Sequence, residues 1–125
     1  MKEFSREWEG SKKPRKQRNY RLNSPLHIKQ KFTHAHLSKD LRKRFGKRNI
    51  NLRKGDKVRV MKGNFRKHEG KVEKVDLMKS KIFVAGVEIT KKDGTKKMVA
   101  LYPSNLMIID VNTEDKFRQK LLERK

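Results

Sequence analysis

Apolar and polar positions follow two periods along this chain, and they change over near residue 52. From Lys57 to Met61 basic and apolar residues alternate (KVRVM), the period of a half-buried strand. Gly55-Asp56 precedes it as a turn, and Gly63-Asn64 opens a loop that runs to Glu69. Gly70 leads into a second strand predicted over 71–77, where Val72 and Val75 break strict alternation and imply a bulge. Lys79-Ser80 turns into a third strand over 81–85, and Val87-Glu88-Ile89 extends its pattern beyond Gly86. Asp93-Gly94 is a hairpin signal that returns the chain through 98–102. Pro103-Ser104-Asn105 then turns it into a strand over 106–109. Five short strands within 54–110 predict a mainly β fold, a small antiparallel barrel. A unit of that size buries only about 60% of its unfolded surface and is marginally stable alone.

Before residue 52 the period is four. Ser38 caps a helix predicted over 39–45, and Gly46 stops it. Leu37, Leu41 and Phe45 form one apolar stripe, surrounded by Lys39, Arg42, Lys43, Lys47 and Arg48. Ser24-Pro25 reads as a second N-cap with proline at the first helical position. The first 20 residues read as extended, because Gly10 and Pro14 interrupt structure and Lys12, Lys13, Arg15, Lys16 and Arg18 repel one another. At the other end Thr113 is the expected cap of a last helix, with Glu114 and Asp115 in its first turn. Lys120, Arg124 and Lys125 suit that helix's C-terminal end, and Phe117 and Leu121 are its expected docking line. The chain thus divides into a basic extension with short helices (1–53), the barrel (54–110) and a helical tail (111–125).

Charge changes this from a statement about shape to one about partners. The 125 residues hold 36 Lys and Arg against 14 Asp and Glu, a net charge of +22. Residues 1–53 carry 17 basic and four acidic residues, so +13 of the total lies before the barrel. A chain so charged repels itself, and a polyanion relieves the repulsion because each neutralised phosphate releases counterions. The charged fraction is 40% and the apolar fraction 33%, so part of the chain is expected to be ordered on a partner rather than by a core. No cysteine is present, which excludes disulfides and thiolate metal sites and fits a reducing cytosol. No run approaches the roughly 18 apolar residues of a membrane span, and MKEFSREWEG has no signal-peptide core.

The candidate RNA-binding cations of the extension are Lys12, Lys13, Arg15, Lys16, Arg18 and Arg21, then Lys29, Lys31, Lys39, Arg42, Arg44, Lys47 and Arg48. The loop adds Lys62, Asn64, Arg66, Lys67 and His68. Tyr20, beside Phe4 and Trp8 in sequence character, lacks a local core and reads as a contact to RNA or a neighbouring protein. Phe65 reads as a plug for the barrel end. His27, His34, His36 and His68 read as RNA contacts rather than metal ligands. His34-x-His36 shares a face only in a strand, and its flanks look helical or irregular. The acids Asp56, Glu69, Glu73, Asp76 and Glu88 alternate with lysines as on a solvated or salt-bridged surface, with no nucleophile elbow, phosphate-cradling loop or zincin helix. No catalytic residue, cofactor or small-molecule substrate is expected.

Gly55-Asp56-x-Val58-x-Val60-x-x-Gly63, followed by Glu69-Gly70-Lys71-Val72 and Val75, resembles the KOW motif of ribosomal and transcription-elongation proteins with SH3-like barrels. In physical terms Val58, Val60, Val72 and Val75 seat two strands. Gly63 and Gly70 permit loop-end backbone that a β-carbon would penalise. The stretches NSPLHIKQKF, LSKDLRKRFGKRNINLRKGD, KDGTKKM, YPSNLMI and KFRQKLLERK, in this order, resemble the archaeal and eukaryotic branch of universal large-subunit ribosomal protein number twenty-four. The lysine-rich 91–97 segment favours the archaeal side. The resemblance implies binding to the 5′ domain of large-subunit rRNA, neighbouring large-subunit ribosomal proteins as partners, and a cytoplasmic place in the ribosome. It also implies a role in subunit assembly near the exit tunnel. This chain departs from the family in Lys67, where a second loop glycine is common, and in Tyr102, where the family has histidine before Pro-Ser-Asn. A KOW-type transcription or translation factor is the alternative, but it needs a second interaction domain. A DNA-compacting protein would need a recognition helix on a stable helical core.

Overall fold

The structure, a computed structural model, describes Phe4, Glu7, Trp8 and residues 10–124; expectations for the other N-terminal residues and for Lys125 lie outside them. Helices α1 (Pro14–Asn23) and α2 (Leu26–Lys29), a 3-10 turn (Gln30–Thr33), strand β1 (His34–Leu37), helix α3 (Lys39–Phe45) and strand β2 (Asn49–Asn51) come first. Strands β3 (Lys57–Val60), β4 (Glu69–Asp76), β5 (Lys81–Val84), β6 (Glu88–Thr90) and β7 (Lys96–Met98) follow. A second 3-10 turn (Pro103–Asn105), strand β8 (Leu106–Asp110) and helix α4 (Lys116–Glu123) complete the chain.

Six strands form one mixed sheet in the order β2-β1-β8-β3-β4-β5, and β6 and β7 form a separate two-stranded sheet. The valine alternation does what it predicts: Val58, Val60, Val72, Ile82, Val84, Leu106 and Ile108 all point into the core. The bulge expected in β4 appears as a register shift against β5 between Val72 and Lys74. The Asp93-Gly94 turn joins the β6–β7 hairpin, and Phe65 packs against the core.

Several expectations are corrected. The sheet is mixed, not purely antiparallel: β1 pairs in parallel with β8 (Leu37 opposite Ile108) and antiparallel with β2 (Ala35 opposite Ile50). Two of the six strands therefore come from before residue 54, where a basic, helix-like pattern hid them. Ala35 and Leu37 of β1 and Ile50 of edge strand β2 are buried because each short strand turns only one apolar face to the core. His34-x-His36 is thus on a strand after all, with both residues on the face opposite Ala35 and Leu37. Residues 14–23 are helical, since proline in the first helical turn leaves no hydrogen bond unmade. The Ser24 hydroxyl does not cap α2. It closes α1, donating to the Tyr20 and Arg21 carbonyl oxygens. Ser38 and Gly46 do bound α3, the first accepting from the Leu41 amide and the second in left-handed conformation (φ 65°).

Gly63 and Gly70 serve different needs. Gly63 takes φ +96°, whereas a Cβ on Gly70 would lie 2.5 Å from the Ala85 carbonyl oxygen and 2.9 Å from Val84 Cγ1. Backbone of a paired strand cannot yield as a flexible side chain can. Gly70→Ala is therefore expected to destabilise the chain by about 2–3 kcal/mol, read from the urea unfolding midpoint.

Candidate nucleic-acid interface

The basic extension is displayed, not buried. Helix α1 buries no residue, and Lys12, Lys13, Arg15, Lys16, Arg18 and Arg21 are all exposed around it. What ties it down is a ring cluster. Trp8 stacks on Tyr20 at 4.6 Å between centroids, Phe4 lies 5.1 Å from Tyr20, and Phe32 meets Tyr20 edge-on at 6.2 Å. Arg21 lies over the Phe32 ring at 5.6 Å. Tyr20 and Trp8 thus have a local core of their own, assembled from residues too far apart in sequence for a periodic signal.

Helix α3 adds a second cationic surface. Leu41 and Phe45 pack on the core, while Lys39, Arg42 and Arg44 remain exposed, as does Arg48 after the helix. Arg42 also donates from Nε to the Leu37 carbonyl oxygen at 2.8 Å, which fixes its stem. Lys47 is partly buried and donates to the Leu121 carbonyl oxygen. Lys31 and His27 are exposed. Lys29 is not: it is 5% exposed, and its Nζ lies 3.9 Å from the Met78 sulfur, so it is not presented to a phosphate.

The loop between β3 and β4 is a tight, internally bonded turn. Arg66 N–H donates to the Gly63 carbonyl (3.1 Å), His68 N–H to that of Phe65 (3.0 Å) and Lys67 N–H to that of Val60 (2.8 Å). Lys62, Asn64, Arg66 and Lys67 are left exposed at its tip. His68 turns inward instead, with Nε2 2.9 Å from the Ala85 carbonyl oxygen. Lys67 has φ +72°. That left-handed conformation costs a residue with a β-carbon roughly 1–2 kcal/mol, a physical reason for glycine there. Lys67→Gly is expected to raise stability by about 1 kcal/mol, read as a higher unfolding midpoint, while removing one exposed cation from the loop.

At the base of the motif the geometry is different. Asp56 is fully buried and accepts from the Arg53 amide (2.8 Å), the Asn112 amide (3.0 Å) and both Arg118 terminal nitrogens (2.6 and 2.7 Å). Arg118 also donates to the carbonyl oxygens of Asn51 (3.1 Å) and Asn112 (3.0 Å). The docking line of α4 is therefore Arg118 and Leu122, both buried, not Phe117 and Leu121. Asp115 caps that helix, accepting from the Phe117 amide at 2.8 Å, two residues later than Thr113. Arg118 escaped sequence reasoning because its partner lies 62 positions away. On the outer surface Glu69 pairs with Arg59 at 2.5 Å, and the hydrogen bond from Arg59 holds its carboxyl below the ordinary range.

Partial burial of His34, then the charge of Lys31, lowers its pKa below 6.5. The folded chain resists protonation there more than the unfolded chain does. His34 thus contributes stability that is complete above 6.5 and lost as pH falls through the lower folded value. NMR titration of its ring protons is expected to give a midpoint below 6.5 in the free protein.

Among the described residues no three metal-ligating side chains gather, and no helix is long and apolar enough to cross a membrane. Residues 11–125 match the family that comprises eukaryotic ribosomal protein L26 and its archaeal counterpart. The chain is 46% identical over 114 residues to the large ribosomal subunit protein uL24 of Methanothrix thermoacetophila, covering 91% of this chain and 98% of that one. It is 43% identical over 112 residues to the protein of the same name from Pyrobaculum islandicum, covering 90% and 91%. With the motif strands, the presented loop and the C-terminal helix all within the matched span, the chain belongs to this ribosomal protein family, in its archaeal type.

Proposed function

We propose that the chain is a structural constituent of the large ribosomal subunit that clamps large-subunit rRNA between its basic extension and the loop from Lys62 to His68. Membership of a ribosomal protein family makes it a building element of the cytoplasmic ribosome and not an enzyme. The observation that carries the clamp is the segregation of charge from core. The arm helices and loop tip hold exposed Lys and Arg, while the buried apolar residues form one core built around the six-stranded sheet. Phosphates met by such a surface release counterions, and an arm of short helices and turns suits crevices of folded RNA, where shape and backbone dominate.

Residues 54–110 are read as an SH3-like barrel holding arm and loop at fixed spacing. The antiparallel run β8-β3-β4-β5 supports this, as does the bridge from Ile82 to Leu101 that brings the segment after β7 to the free edge of β5. The binding target is the 5′ domain of the rRNA near the exit tunnel, engaged early in subunit assembly, with other large-subunit proteins as neighbours. Sedimentation through a high-salt gradient tests the reading. The chain should travel with large subunits and bind a 5′-domain transcript more tightly than other rRNA transcripts; a chain that runs free of subunits overturns it.

A further inference from the structure

We infer that the groove between α4 and the β1–β2 ribbon is a pocket for one unstacked RNA base. The inference rests on the rRNA-binding reading and adds a contact of a different kind. The groove is a cavity of about 250 Å³ lined by His34, Asn49, Asn51, Arg53, Phe117 and Leu121, among others. Phe117 is 81% exposed and Leu121 52%, one helical turn apart on α4. Arg118 and Leu122 are the buried residues that dock the helix, and these two apolar side chains lie outside that buried line.

The other wall is polar in an unusual way. His34 stands opposite Asn51 and His36 opposite Asn49 across the ribbon, so all four share the face away from the core. Among the described residues two buried side-chain atoms lack a hydrogen-bond partner: Asn51 Oδ1, whose residue lines the groove, and His36 Nδ1, on the same face but outside the lining. Buried polar atoms are nearly always paired, and an orphan calls for a reason. An acceptor beside an exposed ring is what a base with an exocyclic amine requires: a surface to stack on and an oxygen to receive its N–H.

Charge selects the occupant. Arg53, paired with Asp115, and Lys47, bonded to the Leu121 carbonyl oxygen, flank the groove, and Lys116 and Lys120 on α4 and Arg124 just after it are exposed. A phosphodiester on either side of the base meets cations there. A larger cavity of about 430 Å³ shares Asn51 and Arg53 and is also basic, with Lys54 and Lys74 beside Glu73, but has no aromatic wall on which a base could stack. A neighbouring protein's apolar side chain would fill the apolar wall but leave the basic rim without anions.

The full chain and two variants, Phe117→Ala and Phe117→Tyr, test the pocket against a 5′-domain rRNA transcript and against single-stranded oligo(A), oligo(C) and oligo(U). Base stacking lost at one site lowers affinity by roughly tenfold. Phe117→Ala should therefore weaken transcript binding by that factor with an unchanged salt slope, since no phosphate contact is removed. Phe117→Tyr should bind as the parent does, and oligo(A) and oligo(C) should exceed oligo(U). Phe117 is exposed, so a matching unfolding midpoint verifies that the variants fold. Unchanged affinity in Phe117→Ala overturns the pocket while leaving rRNA binding intact. A parent chain that does not bind the transcript overturns the parent reading as well. Ultraviolet cross-linking of native large subunits should add a nucleotide mass to the peptide containing Phe117. A cross-link from that face to a protein segment, with no nucleotide adduct, overturns the assignment to RNA.

Discussion

Arg118→Ala is expected to lower the stability of the chain by about 3–5 kcal/mol, the usual cost of removing one partner of a buried ion pair. The arginine is 3% exposed and Asp56 not exposed at all, so the carboxylate left behind could not reach water without local opening. Its loss also releases the Asn51 carbonyl oxygen on the outer side of edge strand β2, and that of Asn112 before α4. One side chain therefore joins the motif turn, the basic extension and the C-terminal helix. Small domains hold only about 5–15 kcal/mol in total, and repulsion within a +22 chain reduces what is left. Thermal or urea unfolding of Arg118→Ala should show an early transition with α4 and β2 losing amide protection together.

Asp56→Ala should be at least as damaging, because the carboxylate also receives the Arg53 and Asn112 amides. The double variant should lose less than the two single losses added, since the second change removes a charge the first had stranded. A fully additive double variant would show that the two groups do not act as a pair. The exposed Arg53–Asp115 pair, with solvent on both side chains, should matter little by comparison.

The difference between these two pairs explains which parts of the molecule the sequence disclosed. Strands β3, β4, β5 and β8 were legible because valine and isoleucine alternate with lysine, and burial of one face enforces that pattern locally. Ser38 and Gly46 bound α3 through contacts three or four residues away. Strand β1 was not legible. Its neighbours in the sheet are β2 and the distant β8, and His34 and His36 suit its outer face without marking a strand. Helix α4 was read with the wrong face inward because Phe117 and Leu121 are apolar and Arg118 is not. Only a partner 62 residues away makes the arginine the better buried residue. In the candidate interface, charge pointed to the arm and the loop tip, whose basic side chains are exposed. It could not distinguish Lys29, tucked against Met78, from the displayed lysines around it. Nor could it show Tyr20 and Trp8 engaged with each other.

Replacing Lys12, Lys13, Arg15, Lys16 and Arg18 together by glutamine is expected to produce the largest change in rRNA affinity. Each phosphate contact contributes about 0.7–0.9 to the slope of log affinity against log salt, so losing all five should flatten it by roughly 4. Near 0.1 M salt that amounts to a loss of some three orders of magnitude or more, on the order of the range over which such proteins respond to salt. The fold should survive. Helix α1 buries no residue, its anchor is the aromatic cluster on Tyr20, and glutamine forms helix about as well as lysine and arginine. The variant should therefore unfold at the parent's midpoint or above it, because a source of self-repulsion has gone. This signature is the opposite of that expected for Phe117→Ala, which lowers affinity at constant slope. If the glutamine variant kept the parent's slope, the arm would lie away from the RNA, and the clamp would reduce to the loop and α3.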